Sequence, residues 1–120
     1  MRRIPAYSEF VKTSKLQGII KTKYGNKIDK LHIFEDEDSV EFNLIVIKKD
    51  QRNTGITTDI LNTVIDYADR EGKVVKLTPA DDYGSDLKRL KKFYKRFGFI
   101  SNSGRNRNFK YRDTMLRYPK

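Results

Sequence analysis

The sequence predicts a single α/β domain: a mixed β-sheet flanked by helices, spanning residues 1–120. Three observations predict it. Residues 42–47, FNLIVI, form a nearly unbroken apolar and β-branched run, the mark of a buried strand. After a polar stretch, apolar residues recur at Ile56, Ile60, Leu61, Val64, Ile65 and Ala68, the spacing of one helical face. Val74, Val75 and Leu77 then mark a second short strand. A strand, a helix and a strand of these lengths imply a parallel pair joined by a crossover.

The elements follow in order. Phe10, Val11, Leu16, Ile19, Ile20 and Tyr24 predict a helix over 7–24, with Pro5 before it, Ser8 as N-cap and a break near Gly18. The alternative is a hairpin turning at Gly25 and Asn26. Residues 27–34 alternate loosely and read as a strand. Glu35, Asp36, Glu37 and Asp38 form an acidic turn, solvated rather than a calcium loop, since no glycine and no spaced ligand ladder follow. The strand 40–47 comes next, antiparallel to 27–34. The helix from Gly55 ends near Gly72, a natural C′ residue. A loop over 78–84 precedes a helix capped by Ser85, in which Leu87, Leu90, Tyr94 and Phe97 share one face and Gly98 stops the run. Phe99 and Ile100 open a strand, and 109–118 return as the last one.

Composition narrows the function. The chain has no cysteine and one histidine, which removes disulfides, thiolate zinc sites and cysteine nucleophiles, and disfavours histidine metal clusters and Ser-His-Asp triads. His32 sits in a strand pattern and reads as structural. No apolar run is long enough to cross a bilayer, and the N-terminus lacks a secretory h-region, so the expectation is a cytoplasmic protein. Ten of the 26 Lys and Arg residues lie between Leu87 and Arg112, where there is no Asp or Glu. The other 16 match the 16 acidic residues, so that one segment holds the whole +10 excess. Such a block either draws in polyanions or an acidic protein surface, or is a solvated helix face followed by a basic hairpin.

The polar loop between strand 42–47 and the helix from Gly55 aims free amides and a helix dipole at one point. It is either an anion-binding turn or an ordinary βα connection. Lys95 to Asn102 nearly spells an RNA-recognition strand, but it carries Arg96 where that motif has Gly, and it follows a helical pattern.

Two motifs resemble the GNAT superfamily, the Gcn5-related N-acetyltransferases. Arg52-Asn53-Thr54-Gly55-Ile56-Thr57, preceded by Gln51, is similar to that family's Gln/Arg-x-x-Gly-x-Gly/Ala loop, with Thr57 in the place of the second Gly or Ala. Phe93-Tyr94, then Gly98-Phe99, is similar to its second signature, and Met115-Leu116-Arg117-Tyr118 looks like its closing strand. The resemblance covers 40–118. The part before it is shorter than usual, as in compact phage-type members. It implies an N-acetyltransferase that uses acetyl-CoA and no metal. The co-substrate would lie where 42–47 splays from 74–77. Amides of Arg52, Asn53, Thr54, Gly55, Ile56 and Thr57 would hold its pyrophosphate, and those near Val46 and Ile47 its pantetheine and thioester. An acceptor amine would attack directly. Tyr94 matches the family's general acid, though its place on an apolar stripe equally suits the core. Glu41, fourteen residues before Gly55, matches a glutamate base but could be a plain strand residue; Asp81, Asp82 and Tyr83 are the alternatives. The implied acceptor is an amine on a macromolecule, such as a protein lysine, drawn by the basic segment to an acidic surface. A C-terminal edge strand would allow a homodimer. The competing readings are a GNAT-fold binding or inhibitory module without catalysis, and a nucleic-acid-binding protein.

Overall fold

The sheet is built outward from β3, Ser39–Ile47, in a computed structural model that describes residues 12–51, 54–79 and 87–120. β3 pairs antiparallel with β2, Ile28–Glu35, and parallel with β4, Val74–Leu77. Among the described residues six strands stand in the order β1-β2-β3-β4-β6-β5, with β1 at Lys12–Thr13, β5 at Ile100–Ser101 and β6 at Met115–Arg117. Among the described residues three α-helices accompany them: α1, Lys15–Tyr24; α2, Ile56–Glu71; and α3, Leu87–Lys95.

Helix α2 forms because its apolar residues fall on one side. Ile56, Ile60, Leu61, Val64, Ile65 and Ala68 are buried against Val40, Phe42, Val75 and Leu77 in one cluster. Each large aliphatic side chain removed from water contributes about 1.5–3 kcal/mol. Gly72 ends the helix at φ 67°, its N–H donating back to Ala68 and Asp69. That left-handed turn brings the chain straight into β4, as the parallel crossover requires.

Several expectations change. α1 starts at Lys15, behind Ser14, whose hydroxyl accepts the Leu16 N–H at 3.1 Å. It runs through Gly18 without a break, because Leu16 and Ile20 anchor both sides of it. Ser8 and the rest of 7–11 lie outside the described residues, as do Ser85 and the loop 80–86. No hairpin turns at Gly25; a short 3₁₀ turn, Gly25–Lys27, leads from α1 into β2.

The acidic turn is not simply solvated. Glu35 is buried and accepts hydrogen bonds from Ser14 at 2.7 Å, Tyr67 at 2.9 Å and Lys73 at 2.6 Å. Asp36 takes the N–H groups of Asp38 and Ser39 and the Ser39 hydroxyl on one oxygen. This network ties β2, α1, α2 and the approach to β4 into one corner.

The last strand spans Met115–Arg117 rather than 109–118. It also lies inside the sheet, between β4 and β5, so the C-terminal strand is not an edge. Arg117 locks it there. Its guanidinium forms a two-pronged pair with Asp69 of α2, at 2.8 and 3.3 Å, and Nε donates to the Phe97 carbonyl. That pair holds the Asp69 carboxyl below its ordinary range. Gly98, at φ 94°, passes so close that a Cβ would sit 3.2 Å from Arg117 Nε. Among the described residues no helix is long and apolar enough to cross a membrane.

Candidate functional site

Two strands that start as partners separate here. β3 and β4 pair only at Ser39–Val74, Val40–Val75 and Glu41–Lys76. Beyond Glu41, β3 continues for six residues along β2, while its other edge has no strand partner among the described residues. The register against β2 also slips there. His32 faces Leu44 and Ile33 faces Phe42, so Asn43 is an extra residue, a bulge that turns the strand. Its side chain is exposed and donates to Glu41 Oε2 at 2.7 Å. The sequence carried one sign of this bulge: Asn43 is the single polar residue in the run 42–47. Val46 and Ile47 lie beyond the last β3–β4 pair and face Lys30 and Ile28 of β2.

The loop after β3 turns through a short 3₁₀ segment, Lys49–Gln51, where the Thr54 hydroxyl donates to the Gln51 carbonyl at 2.6 Å. Arg52 and Asn53 lie outside the described residues. Gly55 precedes α2 at φ 87°, a left-handed conformation that favours glycine, and a Cβ built on it meets nothing within 4 Å. The first helical bond runs from Asp59 N–H to the Gly55 carbonyl. The amides of Ile56, Thr57 and Thr58 precede it and lack helical acceptors. Ile56 points into the core and Thr57 is half-buried. Asp59 would repel an anion here, but the Tyr24 hydroxyl donates to it at 2.7 Å and ties that carboxylate to α1. Burial and this bond push the Tyr24 hydroxyl up to about 12. The backbone at Gly55 is thus open to a phosphate group, with helix amides and the positive dipole end behind it.

Strand alternation puts Glu41 and Lys76 on the face opposite Val40 and Val75. There they line a cavity of about 670 Å³ with Tyr111 and Asp113, which come from the segment before β6. The Lys110–Asp38 ion pair stands in the same lining. The Tyr111 ring lies beneath the Lys76 and Lys110 ammonium groups, at 5.1 and 5.7 Å. Asp113 is the notable group. Burial, then the Glu41 charge, raise its pKa above the ordinary aspartate value, against the opposing pull of Lys76. A carboxyl whose ionisation is held back by burial, with a second carboxylate in the same cavity, suits the capture of a cation and then of its proton. Sequence reasoning missed Asp113, because only the return of the chain to β6 places it opposite Glu41. The alternatives Asp81, Asp82 and Tyr83 lie outside the described residues.

Tyr94 is 8% exposed and packs edge-on against Phe93 and Phe99, with ring centroids 5.4 and 5.8 Å away. Burial raises its hydroxyl pKa, which keeps the proton on the oxygen. None of the described residues hydrogen-bonds that oxygen. The ring belongs to the cluster that contains Phe42, Ile47 and Ile56, on the core side of the fork. The nearby Lys95–Asn102 stretch does not form a base-stacking strand. Lys95 ends α3 and Phe99 is buried.

No family model matches the chain, and no curated protein matches it in sequence. Solved structures do resemble it. Ard1 from Thermoplasma volcanium is 14% identical over 85% of this chain and 76% of that one, with a TM-score of 0.49. A GNAT-family acetyltransferase from Staphylococcus aureus Mu50 is 15% identical over 92% of this chain and 98% of that one, with a TM-score of 0.51. The likeness to the second spans both chains almost end to end, and the fold is GNAT-like.

Proposed function

We propose that this chain is an N-acetyltransferase that transfers the acetyl group of acetyl-CoA to an amine acceptor by direct attack in a ternary complex. The observation that carries the reading is the fork: β3 leaves β4 after Glu41, and the open helix terminus at Gly55 follows β3 directly. An extended thioester would run near Val46 and Ile47, past the point where β3 leaves β4, with its pyrophosphate over Gly55, Ile56 and Thr57 and the loop before them. Thr57 leaves its amide available and adds a hydroxyl donor. The GNAT-like fold agrees with this placement.

The two protonic groups stand on opposite sides of the sheet, Glu41 and Asp113 in the cavity and Tyr94 in the core. They reach a common bond through the opening between β3 and β4. A carboxylate takes the proton of the entering ammonium, and the freed nitrogen forms its bond to the thioester carbon. Backbone amides on the β3 edge favour the charge that develops on the oxygen. As the C–S bond breaks, the Tyr94 hydroxyl gives its proton to the sulfur. The second proton of the attacking nitrogen leaves through water and restores the tyrosine, so the products are the neutral amide and the CoA thiol. Holding donor and acceptor together supplies much of the rate. The basic segment 87–112 draws an acidic protein surface toward the cavity, with a lysine as the acceptor.

The test is release of CoA thiol on mixing the protein with acetyl-CoA and a pool of lysine-containing acidic peptides, with acetylated products read by mass spectrometry. Tyr94→Phe should slow turnover by about 10²-fold and leave acetyl-CoA affinity nearly unchanged. Equal turnover would remove Tyr94 from the chemistry. Tight binding without any transfer would make the chain a GNAT-fold binding module.

A further inference from the structure

The segment between β5 and β6 is built more firmly than a connection needs. Asn102 is its buried hub. Its Nδ2 donates to the carbonyls of Tyr111 at 3.1 Å and Asp113 at 2.9 Å, and its Oδ1 accepts the Asn108 N–H at 2.6 Å. The Asn102 N–H bonds the Thr114 carbonyl at 2.8 Å, which closes the loop. Out of this frame stands Phe109, 85% exposed, far more than the other large apolar side chains among the described residues. The Arg107 guanidinium lies over its ring at 5.1 Å. Arg105 and Arg112 are exposed nearby in the loop, and among the described residues none of these three arginines forms an ion pair. Lys110 differs: it is engaged with Asp38.

An exposed aromatic ring on a hydrogen-bonded loop, beside guanidinium groups without an ion pair, is what a stacking platform in an electropositive setting requires. We propose that this loop binds single-stranded nucleic acid, with a base stacked on Phe109 and phosphates held by Arg105, Arg107 and Arg112. An acidic protein surface would satisfy the arginines and leave the ring in water. A duplex would hide its base faces from the ring. Preorganisation by Asn102 spares the ordering cost that a floppy loop would meet on binding. The binding needs no acetyl-CoA, but it gives Arg105, Arg107 and Arg112 of the basic segment to nucleic acid, which leaves the Lys and Arg residues of α3 for an acidic acceptor surface.

The chain has no tryptophan, so Phe109→Trp introduces a lone indole at the platform. Titration with a short single-stranded oligothymidylate should quench its emission saturably. The affinity of the unaltered chain, from anisotropy of a labelled oligothymidylate, should fall with salt on a double-logarithmic slope of about −2, as three phosphate contacts give. Phe109→Ala should weaken binding by roughly tenfold or more, with an unchanged thermal melt because the ring packs on nothing in the core. Equal affinity after Phe109→Ala would overturn the proposal. So would polyglutamate that quenches the indole and displaces the oligonucleotide at matched charge.

Discussion

Glu35 and Asp113 are both drawn out of water, and their surroundings push them in opposite directions. Burial alone would raise the pKa of either one. At Glu35 the bonds from Lys73, Ser14 and Tyr67 outweigh burial, and its carboxyl falls below the ordinary glutamate value. The same corner pushes the Tyr67 hydroxyl up to about 12, by burial and by its bond to Glu35. At Asp113 no comparable set of donors gathers. Burial and the Glu41 charge prevail over Lys76, and its carboxyl is raised. The first is a saturated network, spent on joining β2, α1 and α2. The second retains capacity for an incoming proton or cation. Donor count, more than burial, decides which way each carboxyl is shifted.

The largest effect should come from breaking the saturated corner. Lys73→Met leaves Glu35 buried without its cation, and should cost about 3 kcal/mol or more in urea unfolding. The sign with pH follows from the lowered pKa. Stabilisation by ionised Glu35 is fully present above its unfolded value of 4.5 and is lost as pH falls through the folded value. Lys73→Met should move that acid loss to higher pH. A cost below about 1 kcal/mol would place Glu35 with ordinary surface carboxylates and end the contrast.

Next comes Asp113→Asn, which should lower acetyl transfer by about 10²-fold. In the wild type, kcat/KM should fall as pH drops through the raised Asp113 pKa, and the variant should lack that limb. An unchanged pH profile would leave Glu41 as the base. The smallest effect is on stability. An aspartate raised above its unfolded value of 3.8 withdraws stability as pH rises through that window. Asp113→Asn should therefore be neutral or slightly stabilising at pH 7, opposite in sign to the change at Lys73. A clear loss of stability would show Asp113 to be structural.

The contrast also shows what could be read from the residues. Strand β3, helix α2 and strand β4 were legible because each depends on local periodicity, and Gly72 marked its own turn. The mixed pairing followed from the connection lengths. What escaped was fixed by distant partners. Glu35 looked like part of a solvated turn because Ser14, Tyr67 and Lys73 are 21 to 38 residues away. The last strand looked long because nothing local announces that Asn102 will gather 108–113 into a loop. Its insertion between β4 and β5 depends on Arg117 meeting Asp69. Of the candidate site, Gly55 and its helix terminus were visible as a motif. The bulge at Asn43 and the approach of Asp113 to Glu41 required the register of three strands.

The most direct test of the acyl-transfer account is a map of backbone amide shifts during an acetyl-CoA titration. The account predicts saturable shifts at Gly55, Ile56 and Thr57 and along residues 42–47, with the corner around Glu35 and Tyr67 still. Shifts confined to the loop at 105–112, or none at all, would contradict it.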